Sequence, residues 1–191
     1  MKLGAFLSIF ILSSLSIKAN YIPQKLKSKV KGIVVRIDEG KKRKYTTSKQ
    51  YSIGYTAKVI ASNVSKEDVT LTAQLFVLGK GKGREYCLLM APSNTITIGA
   101  GVRNKEILNT HHKDSVKKSK FETSTHTVYT VEASKYPAAG VCLIIKDQEG
   151  KIVAIRGSSV YSKFYSWIES KKPGDLFTSS GKVAKETKRK K

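Results

Sequence analysis

Residues 141–156 read VCLIIKDQEGKIVAIR. Five consecutive apolar residues, Val141 to Ile145, make a run too short for a helix and suited to a strand covered on both faces. Asp147, Gln148, Glu149 and Gly150 follow, and Gly150 can supply the left-handed backbone of a tight hairpin. Ile152 to Arg156 then resumes an apolar run. Two apolar runs around a polar, glycine-bearing turn define an antiparallel hairpin.

The rest of the chain repeats this grammar. From Tyr51 the odd positions are Tyr51, Ile53, Tyr55, Ala57, Val59 and Ala61, set against Ser52, Gly54, Thr56 and Lys58. Val69, Leu71, Ala73, Leu75 and Val77 alternate with Thr70, Thr72 and Gln74. Ile33, Val35 and Ile37 share one side of a further segment. Such alternation gives a strand one dry and one wet face. Phe121 to Val131 is rich in Thr, Val and Tyr, which suit a pleated surface. Asn63–Asp68 and Gly79–Arg84 separate neighbouring runs. About eight short strands, with no strand–helix alternation, predict an antiparallel two-sheet β-sandwich. It would be immunoglobulin-like in architecture, with the topology unassigned. The only Trp, Trp167, follows both cysteines, so the sequence mark of antibody domains is missing.

One segment departs from period two. In SSVYSKFYSWIESKKPG, from Ser158, residues Tyr161, Phe164, Tyr165 and Ile168 fall at i, i+3, i+4 and i+7. This predicts a short C-terminal helix with an aromatic stripe lying on the sheet. Ser158 or Ser159 would cap it, and Pro173–Gly174 would stop it. Residues 20–177 are thus expected to form the domain. Residues 178–191, TSSGKVAKETKRKK, are expected to be a disordered basic tail.

The first nineteen residues read as an address. Lys2 precedes an apolar run from Ala5 to Ile17, and Ala19 offers a small residue for cleavage, the layout of a secretory signal peptide. An uncleaved anchor is the competing reading, but the run is shorter than the roughly 20 residues of a membrane span. No later stretch is long enough to span. The expected locations are periplasm, cell surface or exterior. In an exported chain, Cys87 and Cys142 invite a disulfide, with two buried thiols as the alternative.

Charge is the outlying quantity. The 191 residues hold 36 Lys plus Arg against 14 Asp plus Glu, a net +22. Removing residues 1–19 takes away Lys2 and Lys18. Arginine is scarce, so sequence-blind attraction is favoured over bidentate recognition. The charge fits an acidic polysaccharide, lipopolysaccharide or anionic lipid. Equally, it fits no charged partner at all, the lysines keeping the protein in solution. Nucleic acid is disfavoured, because export separates the protein from it and no recognition motif appears. The candidate anion-binding residues are Lys41, Lys42, Arg43 and Lys44, helped by Lys80, Lys82 and Arg84. Lys113, Lys117, Lys118 and Lys120 form another basic group.

Catalytic patterns are scarce. His111, His112 and His126 read as surface residues, with no metal-ligand spacing around them. Ser115 and Lys118 match a bare Ser-x-x-Lys, which is cheap in a lysine-rich loop. Asp38–Glu39, Glu67–Asp68 and Asp147 with Glu149 read as turn carboxylates. Glycines 79, 81 and 83 lead into a strand, not the helix a phosphate loop needs. The expected function is a non-catalytic structural or binding role, with no cofactor. An assembly subunit joined by strand addition and a small secreted hydrolase are the alternatives.

Overall fold

The computed structural model describes residues 22–47, 50–81, 83–114, 119–123, 129–131 and 136–184. Strand β1 (Ile33–Thr47) pairs with β2 (Gln50–Asn63) along almost its full length. With β6 (Lys105–Asp114), β7 (Ser119–Thr123) and β8 (Tyr129–Val131) they form an antiparallel sheet ordered β1-β2-β6-β7-β8. The second sheet is ordered β10-β9-β3-β4-β11. Its strands are β3 (Val69–Lys80), β4 (Glu85–Met90), β9 (Ala138–Lys146), β10 (Ile152–Gly157) and β11 (Leu176–Thr178), with β5 (Ser93–Ile98) also on β3. The two sheets pack as a β-sandwich, as the alternation predicts.

β4 and β5 lie end to end along one edge of β3. Pro92 sits between them and its carbonyl accepts the Leu75 N–H (2.9 Å). A proline has no N–H to give the ladder, so the strand breaks there while the pairing line continues.

Between the sheets, Tyr55, Ala57, Val59 and Ala61 of β2 meet Leu71, Leu75, Val77, Leu89, Leu143 and Ile145, all without exposed surface. The six-stranded sheet has a second dry face. Phe76, Leu78, Leu88, Cys142, Ile144 and Ile155 lie beneath Tyr161, Phe164, Ile168 and Phe177. That explains the unbroken VCLII run, because β9 is buried on both sides. The hairpin turn is as read, with Gly150 at φ +77°.

The chain crosses between sheets after β2, after β5 and after β8. Asn63, fully buried, ties the first two crossings. Its Nδ2 donates to the carbonyls of Glu67 (2.8 Å) and Ile98 (3.0 Å), and its Oδ1 accepts from the Ser65 N–H (3.0 Å).

Several expectations change in the fold. The aromatic stripe forms, but on 3-10 helices, Ser159–Ser166 and Ile168–Ser170, rather than one α-helix. The tighter turn stacks i on i+3, and Tyr161 and Phe164 make an edge-to-face pair at 5.7 Å. Ser158 caps nothing; its hydroxyl is used elsewhere. Residues 178–184, expected in the tail, continue from β11 into a small hairpin. Gly181 turns it at φ +79°, and Ala184 N–H donates to the Leu176 carbonyl (3.0 Å). Phe177 anchors it against Tyr86, Phe164 and Trp167. Asp38 and Glu39 lie within β1, not in a turn. Residues 1–19, expected to be a signal peptide, and residues 185–191, expected in the basic tail, lie outside the described residues.

Cys87 and Cys142 are free thiols, so the candidate disulfide is absent. The register shows why. β4 and β9 flank β3 on opposite sides, with Cys87 across from Gly79 and Cys142 across from Phe76. Two strand spacings, about 10 Å, separate them, whereas a bridge needs Cα atoms within about 7 Å. The thiols also face different cores. Burial pushes both thiol pKa values up to about 12, keeping them protonated.

Candidate anion-binding surface

Pairing decides where the lysines meet. In β1 and β2, Lys42 lies across from Gly54; in β2 and β6, Gly54 lies across from Lys113; in β6 and β7, Lys113 lies across from Lys120. Lys42, Gly54, Lys113 and Lys120 therefore occupy one row across four strands, about 14 Å wide. Two basic groups some 70 residues apart in sequence become neighbours. Alternation puts the row on the face that also holds Arg36, Asp38 and Lys58.

The neighbouring rows on that face contain acids. One holds Gly40, Thr56, His111 and Glu122; the next holds Asp38, Lys58 and Asn109. Lys58 Nζ is 2.8 Å from Glu106 Oε2, and Arg36 Nε is 3.5 Å from Asp38 Oδ1. The Lys58 hydrogen bond holds the Glu106 carboxyl below its ordinary range. Charge is thus balanced along the body of the sheet, while the row at the hairpin end is basic without an acid in register.

Beneath this end lies a polar clamp. The Tyr55 hydroxyl donates to Glu39 Oε2. Ser158 Oγ donates to the same carboxylate (3.0 Å to each oxygen) and accepts the Val141 N–H (2.9 Å). One carboxylate on β1 therefore fastens the five-stranded sheet to the six-stranded one. Burial pushes the Tyr55 phenol well above its ordinary pKa, and Glu39 pushes it the same way. Glu39 was legible as an anomaly, since it continues the inward phase of Ile33, Val35 and Ile37. Its partner Ser158, 119 residues away, was not.

Of the sequence candidates, Lys41 is exposed, with Nζ 5.7 Å from the Tyr55 ring centroid, within cation–π range. Lys42, Arg43 and Lys44 are placed by backbone register at the far end of β1. Lys80 and Arg84 are exposed beside the β3–β4 loop. That loop is a poor anion cradle, because the Glu85 carboxylate occupies it. A Cβ added at Gly83 would fall 2.3 Å from Glu85 Oε2, and one at Gly81 would fall 2.8 Å from Oε1. Lys82, Lys117, Lys118, Ser115 and His126 lie outside the described residues. His111 is exposed, but His112 is fully buried, against the expectation of a surface residue. Adjacent residues face opposite sides of a strand, and His112 falls on the inward phase with Leu108 and Thr110.

Among the described residues no group of His, Cys, Asp or Glu could hold a metal ion, and no helix is long and apolar enough to cross a membrane. Comparison with protein-family models gives no match, and comparison with curated proteins gives none either.

Proposed function

We propose that the protein is an exported, non-catalytic binding β-sandwich whose ligand is an anionic surface at the cell envelope or outside the cell. The leader-like segment supports export, and the lysine-dominated charge supports sequence-blind attraction. The observation that carries the reading is the row Lys42–Gly54–Lys113–Lys120, basic in every residue that bears a side chain beyond hydrogen. Acidic polysaccharide, lipopolysaccharide and anionic lipid share the chemistry this row would meet. Attraction of this kind works through released counterions, so it weakens steeply with salt.

Titration with heparin, and with vesicles of anionic or zwitterionic lipid, tests the reading at two salt concentrations. Binding to the anionic probes that fades with salt supports it. Equal binding to zwitterionic vesicles, or affinity indifferent to salt, removes it. The relative strength of the heparin and anionic-vesicle arms separates polysaccharide from lipid.

A further inference from the structure

The outer face of the six-stranded sheet is divided in two. One half lies under the aromatic lid of Tyr161, Phe164 and Phe177. The other half is polar. Thr72 lies across from Thr95 on one side and Lys146 on the other, and Gln74 lies across from Ser93 and Ile144. Thr72 Oγ1 is 2.9 Å from Thr95 Oγ1, and Thr70 Oγ1 is 2.7 Å from Thr97 Oγ1. Above this floor, against the turn at Asp147, is a cleft of about 370 Å³. That volume falls among small-molecule sites, roughly 300–1,000 Å³.

The charges around the cleft are already engaged. Lys146 Nζ is 2.5 Å from Glu169 Oε1. The Asp147 carboxylate accepts from Ser28 Oγ (2.5 Å) and from the N–H groups of Glu149 (2.9 Å) and Lys151 (2.8 Å). By contrast, Gln74 Oε1 is buried with no hydrogen-bond partner. Buried acceptors in folded proteins are nearly always paired, and an unpaired one costs free energy. Each threonine pair shares one hydrogen bond, leaving one hydroxyl hydrogen and several lone pairs to offer.

We propose that this floor binds a neutral, hydroxyl-rich ligand, a saccharide unit, whose hydroxyls engage Thr70 and the Thr72–Thr95 pair, while the Gln74 amide turns from its buried position so that Oε1 accepts from one of them. Neutrality follows from the engaged charges: an ion would find no unspent counter-charge, whereas a polyol matches a floor of hydroxyls and one amide. The site is separate from the basic row and does not depend on it.

The full-length protein is titrated with neutral monosaccharides and their oligomers, following backbone amide shifts by NMR at low and high salt. Shifts confined to Thr70, Thr72, Gln74 and Thr95, with the same affinity at both salts, are expected for at least one sugar. Gln74→Leu should weaken it roughly tenfold or more, with an unfolding midpoint unchanged or raised, because an unpaired acceptor is gone. Thr95→Val supplies a second variant with the same expected loss. No shift at these amides with any neutral sugar overturns the proposal, as does unaltered binding in Gln74→Leu. Binding restricted to charged oligosaccharides and lost at high salt also overturns it, since that behaviour belongs to the basic row.

Discussion

The two sheets solve the same problem differently. The six-stranded sheet is dry on its inner face and on half of its outer face, and β9 presents no fully exposed residue. The five-stranded sheet is dry on one face only; its other face carries Arg36, Asp38, Lys58 and Glu106 in water. Burial concentrates stability in the first, because apolar area removed from water is the main favourable term in folding. The second is left free to carry charge, where substitutions cost the fold little. A chain this basic can remain folded because its charge and its core sit on different surfaces.

The sharpest way to break this comparison is to cut each sheet. Phe177→Ala, within the aromatic lid, should cost about 3–5 kcal/mol, whereas Val34→Ala, exposed on β1, should stay within about 0.5 kcal/mol. Urea denaturation with a shared m-value reads both. Comparable losses would mean that the five-stranded sheet carries stability too. Next in size is the basic row. Replacing Lys42, Lys113 and Lys120 together by Gln should lower affinity for anionic vesicles roughly 100-fold, at about 1 kcal/mol per lysine, with the unfolding midpoint held. An unchanged affinity would move the binding surface elsewhere.

The clamp joining the sheets comes third. Ser158→Ala leaves the Val141 N–H without its side-chain acceptor and leaves Glu39 with the Tyr55 hydroxyl but no donor from the other sheet, and should cost about 1–3 kcal/mol. Heteronuclear NMR should place the perturbation on both β1 and β9; a change on one sheet alone would show that the clamp does not couple them. The smallest effect concerns acid. Partial burial of Asp147 works to raise its pKa, but the Ser28 hydroxyl and the Lys151 and Glu149 N–H groups outweigh it and hold the carboxyl below its ordinary value. A depressed folded pKa gives stability that is present above the unfolded value, about 3.9, and lost as pH falls through the folded one. Ser28→Ala should therefore lower stability by about 0.5 kcal/mol at neutral pH and by less near pH 2. A uniform loss across pH would mean that the hydroxyl acts through packing instead.

The candidate surface was half legible. The Lys41–Lys44 group stands out in the sequence, and so do Lys113 and Lys120, but nothing local says that they share a row. That requires the offset between β1 and β2, then between β2 and β6, each fixed by packing of the inner face. Equally, Lys80, Lys82 and Arg84 stand out in the sequence as candidate helpers, yet the Glu85 carboxylate fills the loop they belong to, a contact that depends on side-chain direction beyond the turn.

Periodicity alone determined that this chain pairs strands into two antiparallel layers, that Val141–Ile145 is enclosed, and that an aromatic stripe follows at Tyr161–Ile168. These are local properties, written in spacings of two to four residues, and water enforces them wherever the segment lands. Only the tertiary structure decided that Cys87 and Cys142 face different cores, that Glu39 reaches Ser158, and that Lys42 lines up with Lys113 and Lys120. Those relations join residues 50 to 120 positions apart. Their geometry is set by strand order and register, which emerge when both faces of one sheet and one face of the other are packed together.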